Sequence, residues 1–272
     1  CKNPLEWIIH RGQGVKILSL TAYFLKDKDY LLPFLYKDLF DQEGYEGAVV
    51  LDPQPGIYID RPVAVLDYGS LYPSSMISEN ISHDSKVWTK EYDLEGNLIE
   101  ECGYRDDNGN FIYDNLEDYS YVDIQYDTFV YKRLKGPNSA EEKVKTGFKI
   151  CRYAQFPDGK KAILPSVLSE LLQSRKDTKK LMKKTKDPFM KNVYDKRQLS
   201  KKVVANSLYG QCGAKTSTFY EKDVAASTTA TGRQMIMYAK GMVEEMYGNT
   251  HCDTKCHGPV LTKAEYVYGD SV

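Results

Sequence analysis

The side chains best suited to chemistry lie in the string DYGSLYPS at positions 67–74, which follows an apolar run at 63–66. This pattern predicts a buried strand that ends on the carboxylate of Asp67, a turn at Gly69, and a helix with Pro73 in its first turn. A carboxylate in that place can hold Mg²⁺ while the amides of the helix N-terminus hold phosphate oxygens. An isolated Asp before a helix is more often only a cap, but the full string indicates metal-assisted phosphoryl transfer.

The composition predicts a globular chain with one strongly basic segment. The 272 residues are 42% hydrophobic and carry a net charge of −1, and no run is long enough to span a membrane. Twelve basic and four acidic residues lie between positions 170 and 202, whereas acidic residues outnumber basic ones between 90 and 145. The cysteines are scattered, which favours a reducing compartment; they occupy positions 1, 102, 151, 212, 252 and 256.

Two further strings complete a recognisable set in the same order. Residues 202–210 read KVVANSLYG and residues 268–270 read YGD. Together with the string at 67–74, they resemble motifs B, C and A of the family B DNA polymerases, in the cellular and large-DNA-virus branch. The strings RGQGVKI at 11–17 and YEGA at 45–48 fit the same family. The likeness covers nearly the whole chain except a middle segment, and it implies a DNA-directed DNA polymerase.

The resemblance implies an α+β fold, in which an antiparallel palm sheet carries Asp67 and Asp270. A helical hairpin, the fingers subdomain, is inserted into that palm. The expected units are a lead-in to the palm at 1–60, the palm at 61–164 with a β-rich insertion at about 85–150, the fingers with motif B at 165–212, and the palm again at 213–272, ending in a truncated motif C.

Local patterns predict individual elements within these units. The insertion is inferred from hairpin-type turns at 95–97 and 107–110. A long helical pattern begins at Pro165 and breaks near Asp187–Pro188, and a second helix follows to about Tyr209. Other predicted elements are helices at 31–40 and 223–247 and strands at 48–51 and 264–269.

Spacings of four place the candidate nucleotide-binding residues on shared helix faces. Arg175 and Lys179 are four apart, as are Lys202 and Asn206, so two facing helices would present them to one anion. The resemblance implies that this anion is the triphosphate of an incoming deoxynucleotide. Arginine can grip phosphate oxygens in a fork, and lysine acts as a point charge.

The resemblance also assigns roles around the sugar and the DNA. It implies that the ring of Tyr72 lies beneath the sugar and excludes a 2′-hydroxyl, which makes it a steric gate. Tyr209 would line the nascent base pair. The remaining implied contacts are Ser70 and Leu71 to the nucleotide, and Tyr45, Gly47 and Gly210 to DNA.

Catalysis by two Mg²⁺ ions is implied as well. Asp67 and Asp270 would be the catalytic carboxylates and, with the backbone carbonyl of Tyr68, the metal ligands. One ion would lower the pKa of the primer 3′-hydroxyl, and the other would stabilise the leaving pyrophosphate. The family's motif C reads YGDTDS, whereas this chain reads YGDSV at 268–272, so the main carboxylate partner of Asp67 is missing.

An intein inserted in motif C would explain this departure from the family pattern. Ser271 would be its first residue, because that residue must attack the preceding carbonyl. A true deletion and a sequencing artefact are the alternatives. We also expect the chain, which starts at Cys1 without Met, to be a fragment that is inactive by itself and lacks the exonuclease and thumb.

Primer–template DNA and deoxynucleoside triphosphates are the expected partners, with a sliding clamp as a further candidate and no membrane. An intracellular location follows, either the host nucleus or a cytoplasmic viral replication site. One alternative is a non-catalytic nucleotide- and DNA-binding relative. Another is a protein-primed family B enzyme, which ranks low because those enzymes usually carry Asn where this chain has Gly69.

One cluster resembles a zinc site, with His251, Cys252, Cys256 and His257 within seven residues. Such close spacing strains a tetrahedral arrangement, and no second cysteine pair is near. A polar loop is the prediction for this segment.

Overall fold

The computed structural model describes residues 3–26, 30–31, 43–134, 136, 139–254, 256 and 258–271. Helices and strands occur largely in separate runs along these residues, which is an α+β arrangement. The helices are α1 (Leu5–His10), α2 (Gln13–Leu25), α3 (Leu71–Ser78), α4 (Ile163–Lys184), α5 (Pro188–Gly213) and α6 (Lys222–Tyr247). The strands are β1 (Glu43–Tyr45), β2 (Val50–Leu51), β3 (Lys86–Asp93), β4 (Leu98–Gly103), β5 (Ser120–Lys132), β6 (Glu142–Gln155), β7 (Thr250–Thr254), β8 (Gly258–Thr262) and β9 (Gly269–Asp270).

The largest sheet is antiparallel and has the strand order β1-β5-β6-β3-β4. Its two long strands, β5 and β6, pair from Ser120 opposite Gln155 to Lys132 opposite Glu142. Gly147 of β6 lies where a Cβ would come 1.9 Å from the carbonyl oxygen of Tyr92 on β3. Only glycine fits there, because the atom in the way belongs to a neighbouring backbone.

The helical pair α4–α5 confirms the predicted break. Asp187 caps α5 by accepting a hydrogen bond from the amide of Phe189, and Pro188 occupies the first turn. Aspartate at the cap and proline in the first turn are the standard start of a helix. The inner faces of both helices are buried against α3, α6 and the sheet; they contribute Leu164, Val167, Leu168, Leu171, Val204, Ala205, Leu208 and Cys212 to the main core.

The N-terminal half of α6 is buried against the sheet and held there by charges. Lys86 of β3 lies 3.0 Å from the carboxylate of Asp223 and 2.9 Å from that of Glu221. Lys149 lies 3.6 Å from Asp223, and the hydroxyl of Tyr126 donates to the same carboxylate at 2.8 Å. Although burial opposes it, the charges of Lys86 and Lys149 lower the pKa of Asp223 to about 2. We call these five residues the Asp223 cluster.

The segment predicted as a β-rich insertion contains β3, β4, β5 and β6, and aspartates build its turns. The carboxylate of Asp93 accepts from the amides of Glu95 and Asn97 in the β3–β4 turn. Asp106 does the same for Asn108 and Asn110 in the next one. Carboxylates that close short turns in this way make Asp and Asn preferred there.

Two predicted strands are wrong. Residues 62–68 form no strand, and Val65 and Leu66 are 87% and 74% exposed, so Asp67 does not lie on a sheet. The strand predicted at 264–269 is reduced to β9, which pairs with β2 as Leu51 opposite Gly269. An apolar run becomes a strand only where a neighbouring edge is free to pair with it. The strand predicted at 48–51 is present in part as β2, and the edge of β2 pairs with β9.

Three smaller expectations also have outcomes. The turn predicted at Gly69 is present at residues 69–70, where Ser70 has the left-handed conformation with a φ of 58°. His251 and Cys252 lie on β7 of a β7–β8 hairpin, so the predicted polar loop is wrong for them. His257 and all but the first residue of the helix predicted at 31–40 lie outside the described residues. None of the described helices combines the length and the apolar character needed to cross a membrane.

Candidate active site

Tyr72 lies where four parts of the chain meet. It stands in the first turn of α3, and its hydroxyl is 3.1 Å from the Oγ of Ser271, which follows β9. Its ring packs on that of Tyr209 of α5, with a centroid separation of 4.6 Å and an angle of 33°. A Cβ added to Gly232 of α6 would come 2.8 Å from Cε1 of Tyr72. Motifs A and B therefore contact each other directly here, and the residue after motif C joins them.

A second tyrosine extends this contact toward β1. The hydroxyls of Tyr45 and Tyr209 share a hydrogen bond, and we call Tyr45, Tyr209 and Tyr72 the tyrosine chain. Burial raises the pKa of all three phenols. For Tyr72, the hydrogen bond to Ser271 and the charge of Arg233 oppose burial, while the charge of Asp270 adds to it. All three phenols are consequently protonated at neutral pH.

The two candidate metal-binding carboxylates are both exposed. Asp67 lies in the irregular segment before α3, and Asp270 lies on β9, where its carboxylate accepts from the hydroxyl of Tyr268 at 2.6 Å. Contacts of their neighbours fix the two segments. The hydroxyl of Tyr68 donates to the carbonyl of Met235 at 3.1 Å, and Ser271 donates its amide to the carbonyl of Val49 at 3.0 Å.

These oxygens fit Mg²⁺ by their chemistry, since hard carboxylate and carbonyl oxygens are the ligands it prefers. Asp67, Asp270 and the carbonyl of Tyr68 are the oxygens predicted to bind it. Across the described part of the chain, no group of three or more His, Cys, Asp or Glu side chains is placed to hold a metal ion.

The residues of the helical pair that were predicted to bind nucleotide fall into two groups. Arg175 lies at the α4–α5 contact, where its Nε donates to Oε1 of Gln198 at 3.2 Å. Lys179, Lys202 and Asn206 have exposed side chains. One of the five N–H groups of Arg175 donates a hydrogen bond within the hairpin, so the other four can bind an anion.

Lys201 joins the two helices, which the sequence reasoning missed. Its Nζ donates to the carbonyl of Ser174 at 2.9 Å and to Oγ1 of Thr178 at 2.8 Å. Burial, followed by the nearby charge of Arg197, lowers its pKa. The signal was in the sequence, because Lys201 lies three and seven positions before the buried Val204 and Leu208 and so shares their face.

Glu46 and Arg233 form a second contact that sequence reasoning missed. The guanidinium of Arg233 donates to the carboxylate of Glu46, and Oγ1 of Thr229 donates to the Glu46 carbonyl at 2.8 Å. Lys143 approaches the same carboxylate at 3.7 Å. The available signal was a lone arginine after a run of small residues at 225–232.

The other predicted contact residues lie around this centre. Ser70 and Leu71 are half-buried at the start of α3, and Leu71 approaches the backbone of Gly232. Gly47 and Gly210 are exposed, and a Cβ added to either would meet nothing within 4 Å. Packing inside the described structure therefore does not require glycine at these two positions.

Comparison with known proteins defines the class. The model of the family described as DNA polymerase family B matches residues 3–272. The chain therefore belongs to the family B DNA polymerases.

The relatives include viral and cellular members. The DNA polymerase of Phaeocystis pouchetii virus is 58% identical over 271 residues, covering 100% of this chain and 26% of that protein. The DNA polymerase of Pyramimonas orientalis virus is 39% identical over 317 residues, covering 100% of this chain and 23% of that protein. The DNA polymerase delta catalytic subunit of Caenorhabditis elegans is 31% identical over 268 residues, covering 98% and 20%.

A solved structure supports the fold. The family B DNA polymerase of the archaeon Pyrobaculum calidifontis aligns with a TM-score of 0.53 at 22% identity, covering 98% of this chain and 26% of that one. The chain thus spans between about a fifth and a quarter of the length of these four proteins.

Proposed function

We propose that this chain builds the nucleotide-adding centre of a DNA-directed DNA polymerase that replicates the genome of a large DNA virus. The reaction is transfer of a nucleotide from a deoxynucleoside triphosphate to a primer 3′-hydroxyl on a DNA template. One observation carries the proposal: Tyr72 of motif A contacts both Tyr209 of motif B and Ser271, the residue after motif C, with 199 positions between the hydrogen-bonded Tyr72 and Ser271.

Each part of the site has a task in that reaction. Asp67, Asp270 and the carbonyl of Tyr68 would hold Mg²⁺, which supplies charge stabilisation at the reacting phosphate when bound. Lys179 and Lys202 extend exposed ammonium groups toward the triphosphate, and Arg175 contributes its remaining N–H groups.

The sugar and the DNA are assigned to other residues. The ring of Tyr72 is the steric gate, and its protonated hydroxyl is held by Ser271. Asn206 completes the exposed face of α5 that starts at Lys202. Gly47 and Gly210 leave open space where a DNA backbone can come close. A sliding clamp remains a proposed partner of the whole polymerase.

Substitution of Lys202 tests the proposal. In the polymerase that carries this chain, Lys202→Ala is expected to lower kcat/KM for single deoxynucleotide addition by about 10²–10³-fold, as expected for loss of a charge that stabilises the transition state. Lys191→Ala is the matched control, because Lys191 is an exposed lysine on the first turn of the same helix. An undiminished rate in Lys202→Ala would refute the proposed role of the helical pair.

A non-catalytic nucleotide- and DNA-binding relative is the second candidate. The observation in its favour is that no three His, Cys, Asp or Glu side chains are grouped to hold a metal ion among the described residues. It predicts that the unaltered polymerase binds primer–template and nucleotide but adds none, which the same assay measures.

The intein remains a proposal with a competitor. Ser271 is 3% exposed, and its Oγ accepts from the amide of Val49 at 2.8 Å. A hydroxyl in these contacts also suits a continuous motif C in which Ser replaces the family's Thr. The gene downstream of position 272 separates the two: an intein requires Thr-Asp-Ser to be encoded beyond the inserted segment, and continuing polymerase sequence without it excludes the intein.

A further inference from the structure

We infer that Gly232 and the Glu46–Arg233 ion pair are positioning residues that set where the Tyr72 ring lies, and through it the discrimination between deoxyribose and ribose. The inference rests on the proposed function, because it takes Tyr72 as the gate. It adds two elements, α6 and the segment after β1, to the control of sugar choice.

Gly232 gives the gate ring the space that it occupies. The residue is buried on α6, and a Cβ there would lie 2.8 Å from Cε1 and 3.2 Å from Cδ1 of Tyr72. Contacts below 3 Å between carbons are strongly repulsive, so alanine at this position would displace the ring or the helix.

The ring cannot easily move aside. Its face packs on Tyr209 at a centroid separation of 4.6 Å, and its hydroxyl lies 3.1 Å from Oγ of Ser271. Leu71, next to it in α3, would itself be 3.6 Å from the new Cβ. Displacement of the ring therefore breaks a stacking contact or a hydrogen bond, and the gate changes position instead of merely rotating in place.

The ion pair closes a circle of contacts around the same ring. The tyrosine chain connects Tyr72 to Tyr45, and the residue after Tyr45, Glu46, binds Arg233 of α6. Arg233 directly follows Gly232, which itself contacts Tyr72. Thr229, one turn earlier on α6, also holds the Glu46 carbonyl at 2.8 Å. The ion pair and the Thr229 hydrogen bond thus join α6, which carries Gly232, to the segment that follows Tyr45.

The charges of this pair also reach the gate. Burial raises the pKa of Tyr72, and the positive charge of Arg233 acts against it. Glu46 balances that charge. Among the described residues, it is the one carboxylate that forms an ion pair with Arg233. Glu46→Gln would leave the shape of the pair and remove the attraction that holds α6 against the segment after β1.

The test compares two glycines of one helix in the full polymerase. Gly232→Ala adds its methyl group against Tyr72, whereas Gly241→Ala adds one where nothing lies within 4 Å. The measured quantity is the ratio of kcat/KM for dCTP to that for CTP opposite a template guanine. We expect Gly232→Ala to change this ratio by about tenfold or more, because displacements near 1 Å have effects of that size. Gly241→Ala should leave it within about twofold.

Two further variants make every outcome decisive. If Tyr72→Ala abolishes discrimination but Gly232→Ala keeps the wild-type ratio, the gate stands and the inference is overturned. If Tyr72→Ala leaves discrimination intact, the proposed gate fails and the inference with it. Should Gly232→Ala not fold, judged by its thermal unfolding against Gly241→Ala, then Glu46→Gln decides: a changed dCTP-to-CTP ratio supports the inference, and an unchanged ratio overturns it.

Discussion

Replacing Asp223 by asparagine should loosen the attachment of α6 to the sheet. The substitution keeps the shape of the side chain and an oxygen that can accept from Tyr126, but it removes the negative charge. Lys86 and Lys149 both contact that carboxylate. In the variant, their positive charges would lie close together without the negative charge of Asp223. The first half of α6, which leads to Gly232 and Arg233, is the part expected to respond.

Two routes give a consistent magnitude. The pKa of Asp223 is lowered from 3.8 to about 2, which corresponds to about 2 kcal/mol of stability at neutral pH. Breaking a buried pair by removing one partner costs about 3–5 kcal/mol. Lys86 still has Glu221 at 2.9 Å and Lys149 still has Glu91 at 3.6 Å, so the lower end applies. We expect a loss of about 2–3 kcal/mol.

The pH dependence has a definite sign. Since the pKa of Asp223 is lower in the folded protein than in the unfolded one, its contribution is complete above about pH 5 and disappears as the pH falls toward 2. At pH 3 about half of it should remain. The asparagine variant should therefore differ from the wild type less at pH 3 than at pH 7.

Hydrogen–deuterium exchange of α6 amides measures this, because it reports local opening within a large polymerase. Wild type and variant are compared at the same pH, so intrinsic exchange rates cancel. Asp177→Asn is the control: its carboxylate is 54% exposed and lies 3.5 Å from Lys180, and an exposed pair contributes about 0.5 kcal/mol or less. A loss below about 1 kcal/mol in Asp223→Asn, or one equal at both pH values, would refute the reasoning.

Two other substitutions test the packing. Gly147→Ala should cost about 2–3 kcal/mol of local stability in β6, because its Cβ would overlap the Tyr92 carbonyl. Hydrogen–deuterium exchange of the β3 and β6 amides measures this loss. A cost no greater than that of Gly241→Ala would contradict the prediction. Lys201→Met should lose about 1–2 kcal/mol through its hydrogen bonds to Ser174 and Thr178, seen as faster exchange in α4 and α5, whereas unchanged protection relative to Lys191→Met would contradict it.

Elements with local causes could be predicted from the sequence. The break between α4 and α5 follows from Asp187 and Pro188 alone, because a cap and a fixed φ act within one turn. The hairpin turns of the insertion follow from Asp93 and Asp106 in the same way. The apolar run at 63–66 predicted a strand wrongly, since its pairing depended on an edge elsewhere in the chain.

The residues of the candidate site fall into the same two groups: those that a local motif identifies and those that only long-range packing brings together. Motif strings identified Tyr72 and Tyr209, which the structure places in contact. Glu46 and Arg233 carry no such string, and 187 positions separate them. Their pairing depends on the packing of α6 against the segment after β1, which no local pattern encodes. Gly232 escaped notice for a related reason, because its role is defined by the ring it faces.

The span between Val49 and Ser271 has a consequence for synthesis on the ribosome. These residues are 222 positions apart and share hydrogen bonds in both directions. At about 5–20 residues per second, translation takes on the order of 10–40 s to pass from one to the other. For most of that interval, the 199 positions from Tyr72 to Ser271, the emerging polypeptide has Tyr72 but not the serine that anchors its hydroxyl. The contact between Tyr72 and Ser271 is consequently completed late, after α3, α5 and α6 have been synthesised.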